Sequence, residues 1–192
     1  MENQDHQIAI EEDVVTTRTV ITRIASGVLA IGITIVIIVY RNSLLSSSVF
    51  GYPGVFLVSV VGNATVFLPV PSFAVTYAAG DVLNPYLVGI ASGVGAAIGE
   101  MTGYFAGIAG QGVIQRRYTN WYVRLRGWIE KYGMFGIFGL ALIPNPLFDV
   151  AGVIAGASKM AWWRFLIAAS FGKSLRFIGL ALFGAFTLGG SA

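Results

Sequence analysis

No charged side chain occurs between Asn42 and Gly80, and none between Phe177 and Ala192. Uncharged runs of that length have no place on a water-facing surface, so the chain must be solved as a membrane protein. Only 11% of its 192 residues are charged and 56% are apolar. Soluble domains carry about 25% charged residues. The runs are also punctuated. Pro69-Val-Pro71 interrupts the first long one, and Pro144-Asn145-Pro146 interrupts a later one. Two prolines that close remove two backbone donors and clash with a continuing helix.

On either side of each motif the arms are short. Residues 55–68 form an uncharged arm, which at about 1.5 Å per residue falls well short of a hydrocarbon core of roughly 30 Å. The arm after it, 72–80, is shorter still. Around the second motif the arms are 133–143 and 147–156. Each unit is therefore either a kinked span or a re-entrant hairpin with its tip at the prolines.

The remaining segments read more simply. Residues 1–17 mix acids and polar groups and are expected to be a cytoplasmic tail rather than a cleaved signal. Everything from 18 to 192 forms one membrane domain. Residues 20–40 form a first span with Arg18 and Arg23 at its start and Arg41 after it. Residues 86–110 and 161–188 form two more full-length spans. Between them, 113–132 carries Tyr118, Trp121, Tyr122, Leu125, Trp128, Ile129 and Tyr132 on one helical face, edged by Arg117, Arg124 and Arg126. That pattern is a basic interfacial helix with aromatic anchors.

Charge placement decides between span and hairpin. Basic residues collect on the cytoplasmic side. With the N-terminus cytoplasmic, the basic residues of 113–132 share its side only if 55–80 returns to the side it entered from. Lys159 and Arg164 follow only if 133–156 does the same. The expected architecture is all-α: three spans and two re-entrant hairpins, with the N-terminus inside a multi-pass protein of the cell membrane.

The two halves also align. Pro69 and Pro71 match Pro144 and Pro146, Ala79-Gly80 matches Ala155-Gly156, and Gly99-Glu100 matches Gly172-Lys173. In that topology the first hairpin enters from outside and the second from inside, so the repeat is inverted, a recurrent transporter plan.

Four charges fall inside apolar segments: Glu100, Asp149, Lys173 and Arg176. Each costs about 2.5–3.5 kcal/mol when centred in a membrane helix, so they are expected to face inward and pair. Glu100 and Lys173 occupy matching places in the repeat and are expected to approach each other, either as a lock between helices or as a gate. Asp149 has Arg176 or Lys173 as candidate partners. Arg117, Arg124, Lys131 and Arg164 are candidates for contact with lipid headgroups. Asn145, between its prolines, is placed to satisfy backbone groups freed at the tip.

The absence of cysteine and the single histidine, His6, remove thiolate and imidazole chemistry, so no catalytic residue, metal or other cofactor is expected. The partners expected are membrane lipids and not nucleic acid. Gly89, Gly93 and Gly179 permit a homo-oligomer without demanding one.

The pattern resembles the DedA family, also called the VTT or SNARE-associated Golgi protein domain, over roughly residues 45–190. The resemblance rests on the two proline-centred hairpins, on Gly95-x-x-x-Gly99-Glu100-x-x-x-Tyr104-x-x-Gly107, and on Pro144 followed by Ala151-Gly152, Met160 and Phe165. It implies a lipid flippase or scramblase whose cargo is a polyprenyl phosphate or a phospholipid headgroup, and not an enzyme. Many bacterial members carry Gly-Arg before the second motif and an arginine soon after it. Here Gly139-Leu140 and Leu147-Phe148 stand there, and Ser72 replaces an acid after the first motif, which resembles a short, arginine-poor branch. A membrane scaffold or assembly protein without transport activity is the alternative reading.

Overall fold

A computed structural model describes residue 39 and residues 51–64, 70–109, 120–144 and 147–189. The tail 1–17, the first span 20–40 apart from Val39, Pro69, Arg117, Asn145 and Pro146 lie outside the described residues. Within them the chain is helical and contains no strand: α1 (Tyr52–Ala64), α2 (Val70–Val82), α3 (Pro85–Gly99), α4 (Met101–Ala109), α5 (Asn120–Leu142), α6 (Leu147–Ala157) and α7 (Trp162–Gly189).

Local chemistry sets several of the boundaries. Pro71 lies in the first turn of α2, where a missing N–H costs nothing. α3 opens on Pro85 behind Asn84, whose Oδ1 accepts from the backbone N–H groups of Tyr86 at 3.0 Å and Leu87 at 3.3 Å. Gly133, at φ 54 and ψ −126, kinks α5 into two halves. The kink separates the basic half from the apolar half.

The expected span 86–110 is built from α3 and α4, which meet at Glu100; this residue keeps helical dihedrals, donates to the Ala96 carbonyl at 3.1 Å and accepts from the Tyr104 N–H at 3.2 Å. The Thr102 hydroxyl donates to the carbonyls of Gly99 and, from the neighbouring helix, Ala64, both at 3.0 Å. A side-chain donor competing for a helix carbonyl is a recognised cause of local bending.

Past α6 the chain turns sharply. Met160 N–H donates to the Ala155 carbonyl at 3.1 Å and Lys159 N–H to that of Gly156 at 3.0 Å, with Lys159 at φ 55. This is a Schellman ending with lysine where glycine is usual. Holding an L-residue there costs about 1–2 kcal/mol. Lys159→Gly is therefore expected to raise stability by about 0.5–1 kcal/mol after the entropy of the more flexible unfolded chain is subtracted. A higher thermal midpoint of the detergent-solubilised protein would register it.

α7 has 28 residues, roughly 42 Å at 1.5 Å per residue, and is the described helix long and apolar enough to cross a membrane. α1 and α2, at 13 residues each, and α6, at 11, reach only about 17–20 Å. α7 packs along α3 and α2 in one part of its length and along α5 in another, while α6 lies against α4. Two apolar cores result. One gathers Tyr104, Ile129, Ile137, Phe148, Ile154 and Phe165; the other gathers Val55, Val75, Ala78, Val88 and Ala181.

The contact pattern of the first half recurs in the second. A Cβ on Gly80 would overlap the Ala181 carbonyl, and one on Gly184 the Tyr77 carbonyl. Seventy-odd residues away in each strand of the comparison, Gly156 meets the Tyr104 carbonyl and Gly107 the Val153 carbonyl. Gly99 rests on Val60 and Ala64 at the end of α1, as Gly172 rests on Phe138 and Leu142 at the end of α5. Helices approach this closely only where side chains are absent. Gly89 and Gly93 are used in the same way, against Ile178 and Ser174 of α7; of the three glycines noted above, only Gly179 faces open space.

Candidate functional site

Along α7, Lys173 and Arg176 lie between Ala169, in the first core, and Ala181, in the second. Glu100, at the junction of α3 and α4, meets Lys173. Lys173 Nζ donates to Glu100 Oε1 at 2.5 Å, and the two side chains are 2% and 6% exposed. Nζ also donates to Asn63 Oδ1 at 3.1 Å and lies 4.8 Å from the centre of the Phe148 ring. An ammonium with a carboxylate, an amide oxygen and an aromatic face around it is fully served. The expected approach of Glu100 to Lys173 is thus present in the fold, as a desolvated ion pair.

Asn63 was not among the residues singled out above. Its signal was faint: one amide in a mostly apolar arm. It links the pair to a group of buried hydroxyls. Asn63 Nδ2 donates to the Ser59 carbonyl at 2.9 Å and to Ser72 Oγ at 3.4 Å. Thr76 Oγ1 donates to the Ser72 carbonyl at 2.8 Å and lies 2.7 Å from Ser92 Oγ. Ser59, Ser72, Thr76 and Ser92 are completely buried, and Ser59 Oγ has no partner. The pair also has aromatic neighbours: Phe148, against Lys173, stacks with Phe165 at 6.2 Å, and Tyr104 stacks on Phe165 at 5.4 Å. Tyr104 also donates from its hydroxyl to the Met160 carbonyl at 2.5 Å, tying α4 to the turn before α7.

Asp149, in the first turn of α6, comes within hydrogen-bonding reach of Glu100 and within electrostatic range of Lys173 and Arg176. It makes a direct ion pair with neither cation among the described residues. The fold therefore gathers Glu100, Asp149, Lys173 and Arg176 in one place.

Arg176 is held differently from Lys173. Its guanidinium carbon lies 5.1 Å from the Phe73 ring centre and 5.0 Å from that of Phe177. Those two rings are themselves 5.2 Å apart, inclined at 44°. Arg176 Nε is buried without a hydrogen-bond partner. An unsatisfied buried donor costs about 1–3 kcal/mol.

The headgroup candidates lie apart from this cluster. Arg124 and Lys131 are exposed on the basic half of α5, Lys131 stacking 5.2 Å from Tyr132; Arg164 is exposed at the start of α7, 5.1 Å from Trp163. Arg126 is engaged by Glu130 at 2.8 Å. The aromatic face of that helix is not wholly outward: Ile129 is fully buried and Leu125 packs on the core, whereas Trp128 and Tyr132 stay exposed. Pro144 lies in the non-helical link between α5 and α6.

Residues 70–186, from the start of α2 almost to the end of α7, match the model of the VTT domain. The chain belongs to the VTT-domain family. All four clustered charges fall within the VTT match, and Asn63 precedes it. Vacuole membrane protein 1 of Bos taurus is 32% identical over 104 residues, covering 43% of this chain and 26% of the relative. Vacuole membrane protein KMS2 of Arabidopsis thaliana is 30% identical over 104 residues, covering 43% and 24%. The Dictyostelium discoideum homologue of vacuole membrane protein 1 is 45% identical over 47 residues, covering 24% and 12%. This VTT chain thus spans about a quarter or less of the length of these curated relatives. No solved structure matches it. Family and composition together make it a membrane protein.

Proposed function

We propose that this protein is a transporter of the DedA/VTT type that moves lipid between leaflets, with the headgroup passing the cluster of Glu100, Asp149, Lys173 and Arg176. The observation that carries the reading is the meeting of four ionisable side chains where the two similarly packed halves join. Ionisable groups at membrane depth are costly, and they mark transport paths far more often than anchors. In this reading α1–α2 and the apolar half of α5 with α6 are re-entrant hairpins related by an inverted repeat. Their lengths support that, since none reaches across a hydrocarbon core. Irregular backbone at membrane depth is tolerated only when buried in protein or lining a wet cavity, so in this reading the two proline motifs are shielded from lipid in one of those ways.

The hydroxyls of Ser72, Thr76 and Ser92 give a headgroup polar company near the ion pair, and the rings of Phe148, Phe165 and Tyr104 give it apolar company. Arg124, Lys131 and Arg164, with Arg117, would gather headgroups at the cytoplasmic surface, where anionic lipids draw basic side chains. A cell-membrane location with the N-terminus inside is the orientation that puts those residues on the same side as Arg18 and Arg23.

Proteoliposomes with fluorescent lipid in one leaflet test the activity. Purified protein is expected to make the inner-leaflet probe accessible to an external quencher, and Glu100→Gln to slow this by about ten-fold or more, the scale of losing one charge-assisted hydrogen bond. No exchange of phospholipid or polyprenyl phosphate above empty vesicles would refute the transport reading. Topology has its own test, because the chain has no native cysteine. Single cysteines at the exposed positions 53 and 86, which flank the first hairpin, are expected to react with membrane-impermeant reagent from outside; labelling of either from the cytoplasm alone would refute the hairpin arrangement.

A further inference from the structure

The two halves pack alike but are not lined alike, and from that difference we infer that the first half holds a buried hydration pocket, formed by Ser59, Ser72, Thr76 and Ser92, which the second half has packed shut. The glycine crossings give the register of the comparison. Gly99 rests on the Val60 carbonyl and the Ala64 nitrogen as Gly172 rests on the Phe138 carbonyl and the Leu142 nitrogen. Gly184 meets the Tyr77 carbonyl as Gly107 meets that of Val153. Counted from these matches, Ser59 corresponds to Ile137, Ser72 to Phe148 and Ser92 to Phe165. All six are buried, none more than 2% exposed. In the second half these positions are apolar, with the Phe148 and Phe165 rings stacked at 6.2 Å in the core that also holds Ile137. In the first half they are three hydroxyls. The packing plan is thus met by apolar side chains, so the serines are not a requirement of the fold. Two rings and a butyl group have given way to three hydroxymethyl groups. Thr76 and Asn63, which stand where Gly152 and Ala141 do, return only part of that volume.

What the pocket accepts follows from its hydrogens. Thr76 gives its proton to the Ser72 carbonyl at 2.8 Å, so in the 2.7 Å contact between Thr76 and Ser92 the donor is Ser92. Asn63 spends its amide hydrogens on the Ser59 carbonyl at 2.9 Å and on Ser72 Oγ at 3.4 Å, and its Oδ1 receives Lys173. Ser59 stands at the same crossing: a Cβ on Gly95, one turn beyond Ser92, would lie 3.2 Å from Ser59 Cβ. The Ser59 hydroxyl is fully buried and has no partner. The capacity left over is mostly oxygen lone pairs on Thr76, Ser92 and Ser59, which call for a small O–H donor. Water meets that call. It donates two hydrogens, accepts the one from Ser59, and makes about three bonds when buried. A metal ion fits poorly, because Asn63 holds the Lys173 ammonium at the rim of the pocket. Since Asn63 bonds both Ser72 and Lys173, water in this pocket reaches the ion pair from the first half alone.

Water-edited solid-state NMR on the full-length protein in lipid bilayers tests this directly. Magnetisation from water is expected to arrive early at Ser59, Thr76 and Ser92 and late at Ile137, Phe148 and Phe165. Ser92→Phe installs the residue of the second half and is expected to abolish the early transfer at Ser59 and Thr76. Ser59→Ile does the same from a different helix, at Thr76 and Ser92, should the phenylalanine protein not fold. Late arrival at all six positions overturns the proposal, as does early arrival that both variants leave unchanged. A shift of the serine signals when sodium chloride replaces choline chloride would assign the pocket to a cation and overturn it too. The readout does not depend on lipid movement. A wet pocket without leaflet exchange keeps the site and removes the transport reading, whereas exchange with a dry pocket does the reverse.

Discussion

Lys173→Met is expected to destabilise the protein by about 3–5 kcal/mol, the cost of leaving one charge of a buried pair without its partner. The setting places it at the severe end of such substitutions. Glu100 is 6% exposed, and its described company is Lys173 and another carboxyl, Asp149. Remove the ammonium, and two acids face each other in a site closed by Phe148. Glu100→Gln is expected to cost less. Asn63 Oδ1 at 3.1 Å and the Phe148 ring at 4.8 Å still receive the ammonium, and the new amide offers it an oxygen.

The double variant Glu100→Gln with Lys173→Met is expected to recover most of the loss, because an uncharged pair of similar volume is often neutral or better than a buried ion pair. The cycle needs two readouts, denaturant midpoint in detergent and leaflet exchange in proteoliposomes. A lock between helices predicts that stability and exchange return together in the double variant. A gate predicts that stability returns and exchange does not. Stabilities of the single variants within 1 kcal/mol of wild type would show the pair to be far better solvated than its burial implies.

That this pair could be anticipated, while Asn63 and the contact of Arg176 with Phe73 could not, has a physical basis. A lone charge in an apolar helix has few affordable solutions, so Glu100 and Lys173, at matching places in a repeat, constrained each other from afar. Asn63 carries no such penalty. An amide can be satisfied by its own helix, as its bond to the Ser59 carbonyl shows, so nothing in its position announces a bond to Lys173 across the fold. The same holds for Phe73, which reads as one more apolar residue until α2 docks on α7 and sets its ring on Arg176. Asp149 was read as a candidate partner of the cations from charge alone, and the fold brings it into electrostatic range of Lys173 and Arg176 and of Glu100 as well. The Thr102 contact was equally hidden: its hydroxyl reaches a carbonyl of α1, a long-range bond that hydropathy does not encode.

Glycine positions divide into two sets whose alanine variants should differ in sign. At Gly156 a methyl group would overlap the Tyr104 carbonyl, and at Gly107 the Val153 carbonyl. The obstruction is backbone on both sides, so no rotamer change relieves it, and α6 must move away from α4. Overpacking of this kind costs about 1–3 kcal/mol and sometimes more. Here it would also pull on the Tyr104–Met160 hydrogen bond and on Asp149 at the start of α6. Gly80 and Gly184 meet carbonyls of Ala181 and Tyr77 in the same manner, so Gly80→Ala is expected to match Gly156→Ala in size. At Gly179 and Gly127 nothing lies within 4 Å, and alanine there should stabilise by about 0.5–1 kcal/mol through the helix preference alone. Because one displacement of α6 relieves both of its clashes, Gly107→Ala with Gly156→Ala should cost less than the sum of the two. Gly80→Ala with Gly156→Ala should add, since the two crossings lie in different halves. Additivity across halves with saturation within each would mean that each short helix docks through its own glycine crossing. That independence is what two separately moving hairpins require. Saturation across all four positions would instead mean that the halves yield as one body, and the ion pair between them would then be a lock.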